Sequence, residues 1–143
     1  MTQKISRLLF APTLMVAFAV LVKGYVGGGD GFAAGVIAGL AFLIQFVAFG
    51  ERNVRRSLYT RSAPLVAMSG LALALACTFF PVLRGLPVLT HWPPPDAKVW
   101  HFGTLEILTA FLFDVAVFML VVGFTITSLA LVSRAEARGV VER

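Results

Sequence analysis

Four apolar blocks, each long enough to cross a lipid bilayer and each separated from the next by charged or proline-rich chain, constrain this sequence more than any other feature. A transmembrane helix needs roughly 17–25 residues at about 1.5 Å each. Blocks of that length lie near residues 5–26, 33–50, 64–83 and 104–132. With 59% hydrophobic and 13% charged residues, 143 residues carry more apolar surface than one soluble domain of that size buries. The expected fold class is therefore an all-α integral membrane protein with four transmembrane helices in one domain, residues 1–143. The first block follows Lys4 and Arg7 as a secretory signal would, but it has no small-residue cleavage site and its apolar run is too long, so it is expected to stay as a span.

The basic residues alternate from side to side. Lys4 and Arg7 precede the first block, Arg52, Arg55, Arg56 and Arg61 lie between the second and third, and Arg134, Arg138 and Arg143 follow the fourth. The intervening connections hold Lys23, Arg84 and Lys98. By the positive-inside rule this places both termini in the cytoplasm, in a multi-pass protein of the cell membrane. The net charge of +5 is then topological. No contiguous basic patch with stacking aromatics is present, so nucleic acid is not an expected partner.

The first connection, GYVGGGDGFAAG, contains Gly27, Gly28 and Gly29, which break a helix cheaply and force a tight hairpin. It lacks the Lys-Ser/Thr of a phosphate loop. Gly31, Gly35 and Gly39 then recur every fourth residue, a face on which another helix can approach closely, with Phe32 expected to join the hairpin's packing. The third connection holds Pro93, Pro94 and Pro95, with Trp92 and Trp100 suited to a membrane interface. His91 and His101 lie in it without a partner at ligand spacing, so no metal or haem is expected. Cys77 is the single cysteine and excludes a disulfide within the chain. No nucleophile sits beside a base, which points away from covalent catalysis, and no cofactor is expected.

Asp114 stands in FLFDVAVFML, an acid inside an apolar run. Counted from Thr104, it lies about 15 Å into the last span, near mid-bilayer, where a carboxylate costs about 2.5–3.5 kcal/mol and must face protein or water. The same count sets Gln45 about 18 Å deep, as its expected neighbour, and sets Glu106 and Lys23 close to one level near the outer surface. Thr125 and Ser128 each fall within about 40° of Asp114 on a helical wheel. Two readings of Asp114 stay open from the residues: an acid that fixes helix register, and a relay for protons or cations.

The order of the glycine hairpin, the basic loop and the FLFDVAVFMLVVGFTIT span resembles the B subunit of Mrp-type sodium/proton antiporters. The turn departs from that family's pattern: it reads GGGDGFAAG, with no proline and with Asp30 inserted. The resemblance implies an accessory membrane subunit of a multisubunit monovalent cation/proton antiporter, working with other subunits on Na+ and H+. It assigns Asp114 to the family's FD acid and Gly27 to Phe32 to its turn. On that basis Asp114, Glu106, Lys23, Gln45 and Thr125 are ion-path candidates, and Asp114→Asn is expected to abolish exchange while Asp30→Asn is mild. The same module in a membrane-bound hydrogenase-type complex, and a small homodimeric four-helix exporter, are the alternatives. An acid in the first span, which such exporters need, is absent between Ile5 and Val26.

Overall fold

A computed structural model describes residues 2–27, 29–49, 58–83, 85 and 103–141, with backbone alone at 2, 25–27, 58–60, 103–109 and 136–141. Four helices account for nearly all of it: α1 (Thr2–Gly27), α2 (Gly31–Phe49), α3 (Leu58–Leu83) and α4 (Gly103–Val141). Each contains a stretch long and apolar enough to cross a membrane: Gln3–Gly24, Gly31–Phe49, Arg61–Leu83 and Ala110–Ala135. The fold is thus the all-α, four-span architecture expected of the four blocks. The third helix begins six residues before Pro64, although a proline invites a boundary there; Pro12 likewise sits inside α1. Each proline removes one backbone donor. In the next position along α1, Thr13 Oγ1 donates to the Leu9 carbonyl at 2.8 Å.

The helices form a row more than a closed bundle. α1 packs along α2, α2 along α4, and α4 along α3, while α1 reaches α4 with a much smaller contact and α3 rests chiefly on α4. α1 and α2 are antiparallel: Phe10 meets Phe42 edge-on at 5.3 Å, and Gln45 Nε2 donates to the Ser6 carbonyl at 2.7 Å. α2 and α4 run parallel, as the contacts of Gly31 with Asp114, Gly35 with Val121 and Gly39 with Thr125 require. Thr2 at the start of α1 and Val141 at the end of α4 therefore lie at the end of the row opposite the α1–α2 turn.

Glycine and alanine make these contacts. The buried apolar residues are Ala17, Leu21, Ala34, Ala38, Ala41, Ala63, Ala116, Ile126 and Ala130, and among the described residues no large side chain is fully buried. A methyl added at Gly70 would stand 2.6 Å from the Leu120 nitrogen and 2.7 Å from the Ala116 carbonyl oxygen; one at Gly123 would meet the Ala67 nitrogen at 2.5 Å. Backbone meets backbone, which is how helices associate where lipid removes the hydrophobic drive between them. The large apolar side chains, including Leu8, Met15, Phe18, Val47, Leu65 and Phe124, remain exposed on the outer faces.

Candidate functional site

The turn between α1 and α2 is built to receive a carboxylate. Gly29 takes φ = +91°, a backbone conformation that side-chain-bearing residues rarely adopt, and this swings its N–H toward α4. That N–H donates to Asp114 Oδ2 at 3.0 Å. Asp114 is 4% exposed while Gly29 is exposed, so the bond is part-buried. Gly24 leaves the room the carboxylate occupies, since a Cβ there would lie 2.9 Å from Asp114 Oδ2 and 3.2 Å from Asp30 Cβ. Gly31 admits the backbone of α4 itself: its Cβ would press on the Asp114 carbonyl oxygen and stand 2.7 Å from the Asp114 Cα.

Asp30 closes the turn. Its carbonyl accepts the Ala34 N–H at 2.9 Å, the first bond of α2, which puts Asp30 at the helix N-cap, a position aspartate favours. A second carboxylate thus joins Asp114 near the positive end of the α2 dipole. Lys23 Nζ lies 3.7 Å from Asp30 Oδ2, with the lysine side chain 79% exposed. Exposed pairs of this kind are worth about 0–1 kcal/mol.

These positions revise several expectations. Asp114 is not at mid-depth; it is level with the α1–α2 turn. Depth counted from Thr104 assumed that the membrane crossing begins where the apolar run does, whereas α4 begins at Gly103, 11 residues and about 16 Å before Asp114, and so runs on past the level of the α1–α2 turn. Gln45 is not a neighbour of Asp114. It lies 14 residues along α2 from Gly31, about 21 Å away, and bonds to Ser6. Lys23 pairs with Asp30; the side chain of Glu106 lies outside the described residues. Thr125 Oγ1 donates to the Val121 carbonyl of its own helix at 2.8 Å and packs on Gly39. Phe32 is 61% exposed: one helical position is about 100°, so with Gly31 against α4 the next side chain turns outward. Gly28, His91, His101, Trp92, Trp100 and the proline run are outside the described residues.

Reading the sequence missed Gly24, Gly70 and Gly123. The signal for the last two was present as Ala63, Ala67 and Gly70 on one helix and Ala116 and Gly123 on the other, but without the regular four-residue spacing that drew attention to α2. Ser6, 3% exposed near the start of α1, was also passed over. Among the described residues, no three His, Cys, Asp or Glu side chains cluster as a metal site would require.

The fold and this site define a class: a multi-pass membrane protein of closely packed, glycine-faced helices whose first hairpin is tied to its last helix by one carboxylate. A family model described as "Domain related to MnhB subunit of Na+/H+ antiporter" matches residues 1–127, and the chain belongs to that family. It is 29% identical over 134 residues to the B subunit of a Na+/H+ antiporter from Bacillus subtilis strain 168, covering 94% of this chain and 92% of that one. To the corresponding Na+/H+ antiporter B subunit of Alkalihalophilus pseudofirmus it is 27% identical, covering 80% and 79%. It is 34% identical over 135 residues to a Rhizobium meliloti protein named as the probable A/B subunit of a K+/H+ antiporter; this match takes in 94% of the present chain but 13% of that protein. No solved structure matches the chain significantly.

Proposed function

We propose that this chain is the B-type accessory subunit of a multisubunit Na+/H+ antiporter in a bacterial plasma membrane, with both termini cytoplasmic, and that its own contribution is a rigid hairpin-to-α4 unit against which other subunits assemble. The observation that carries the rigid unit is the Gly29 N–H···Asp114 Oδ2 bond, which joins the exposed turn to a buried side chain of α4. A hydrogen bond of this kind contributes about 0.5–1.5 kcal/mol net. The partner reading is supported by the family and by the outward-facing apolar side chains. The match to part of a much longer chain named A/B supports direct adjacency to a large A-type subunit. Relatives named for Na+ and for K+ support a monovalent cation as the coupled ion.

A second reading follows from one observation: Asp114 and Asp30 converge around Gly24 with Lys23 as counter-ion. That arrangement suits the mouth of a cation path. Two substitutions separate the readings when complex recovery and exchange in membrane vesicles are measured together. An asparagine amide oxygen still accepts the Gly29 N–H, so for a positional role Asp114→Asn keeps both assembly and exchange, while Asp114→Leu loses both. Normal assembly with exchange abolished in Asp114→Asn assigns the carboxylate to the ion path. Purification of a tagged copy in mild detergent tests the subunit itself: recovery of a homodimer without antiporter subunits overturns it.

A further inference from the structure

The charges at the α1–α2 turn form a graded series. The Lys23 side chain is 79% exposed and that of Asp30 33%, while Asp114 is 4% exposed on the other side of the space left by Gly24. Among the described residues these are the charged side chains at this end of the molecule, two carboxylates against one ammonium. The ion pair is not what holds the turn. Lys23 Nζ and Asp30 Oδ2 are 3.7 Å apart, beyond the roughly 2.7–2.9 Å of a charge-assisted hydrogen bond. The turn is already fixed by the Asp30 carbonyl at the helix N-cap and by the Gly29 N–H on Asp114. Lys23 and Asp30 both belong to the hairpin, so their pair ties nothing to α4. An exposed ammonium on a flexible four-carbon stem leaves such a carboxylate and returns to it at little cost.

We propose that Lys23 is a tethered competitor for the coupled monovalent cation: its ammonium occupies the Asp30 carboxylate, and a cation passing between the turn side and Asp114 must displace it. The proposal rests on the cation-path reading of Asp114 and Asp30. Lysine suits this part chemically. Its compact, strongly hydrated point charge is the side-chain counterpart of a hydrated alkali cation, and it lacks the two-pronged grip with which a guanidinium holds a carboxylate. Position suits it as well, since an ion arriving from the turn side meets the part-exposed Asp30 before the buried Asp114. A competitor on the chain itself keeps such a site from holding its ion too tightly to release it.

The test is cation/proton exchange by the assembled complex in right-side-out membrane vesicles, with Na+ added on the turn side and complex recovery measured for each variant. Lys23→Met removes the ammonium and is expected to lower the KM for Na+ about two- to fivefold, the range open to an exposed pair. Lys23→Arg keeps the positive charge and is expected not to lower it. In an Asp30→Asn background the effect of Lys23→Met is expected to vanish, because the carboxylate competed for is gone, whereas a general effect of surface charge would persist. An unchanged or raised KM in Lys23→Met, or a fall that survives Asp30→Asn, overturns the proposal alone. Normal exchange in Asp114→Asn overturns the cation-path reading, and the proposal with it.

Discussion

Replacing Gly123 with alanine tests the packing through the sign of its effect. Gly123 lies in the interior of α4, where alanine is intrinsically better than glycine by about 1 kcal/mol. On a helix face open to lipid, Gly123→Ala would therefore stabilise. In the folded chain the added methyl stands 2.5 Å from the Ala67 nitrogen, 2.8 Å from the Ala63 carbonyl oxygen and 2.9 Å from the Ala67 Cα. All three are backbone atoms of α3, so no rotamer change relieves the contact, and carbon atoms prefer a separation of about 3.5–4.0 Å. The helices must move apart by several tenths of an ångström or more. Overpacking of this kind costs about 1–3 kcal/mol, and a gap of about 0.5–1 Å elsewhere along the seam forfeits a quarter to a half of each dispersion contact. Because α3 rests chiefly on α4, this seam is what sets its register among the described residues. The expected result is a net loss of about 1–3 kcal/mol in unfolding of the purified protein in detergent, with less complex recovered. Gly123→Ala as stable as the original chain, or more so, would refute the backbone-to-backbone seam.

Gly29→Ala meets no atom within 4 Å, so its cost is conformational alone: about 1–3 kcal/mol for φ = +91°, read as a fall in thermal stability. Lys23→Ala removes an exposed pair, and the expected change is below about 1 kcal/mol and smaller still at high salt, measured by unfolding at two ionic strengths. Gln45→Leu deletes the bond to the Ser6 carbonyl that ties α1 to α2; bonds between membrane helices average about 0.6 kcal/mol, so a loss near that value is expected in the same assay.

The four helices were legible because length and hydropathy alone decide whether a segment spans a bilayer, and the chain satisfies that test four times. The face carrying Gly31, Gly35 and Gly39 was legible for the same kind of reason, a period on one helix. What lay across from each glycine was not. Depth counted along one helix sets no register between helices, and register is fixed by where backbones fit together, at Gly31 on Asp114 and Gly70 on Ala116 and Leu120. Asp114 therefore read as a mid-membrane acid, though it sits at the hairpin turn. Asp30 looked like an interruption of the glycine pattern because an N-cap becomes visible only once the following residues are known to be helical. Helix ends were the other miss: α4 continues through SRAEARGVV, whose alanines and arginines favour helix after the apolar run has stopped.

An interior made of alanine and glycine has an entropic consequence. Ordering a side chain on folding costs nothing for these two residues, against up to about 1.5–2 kcal/mol for a long one. The helices of this chain dock while burying few long side chains, Leu21 and Ile126 among them, and many flexible side chains are left on the outer faces, including Met15, Met68, Phe79 and Leu131. The loss of freedom that a large protein core would incur at folding is here deferred to whatever covers those faces. Association with neighbouring chains is then the step at which this protein's surface becomes ordered, and small differences between neighbours are felt there more than in its own fold.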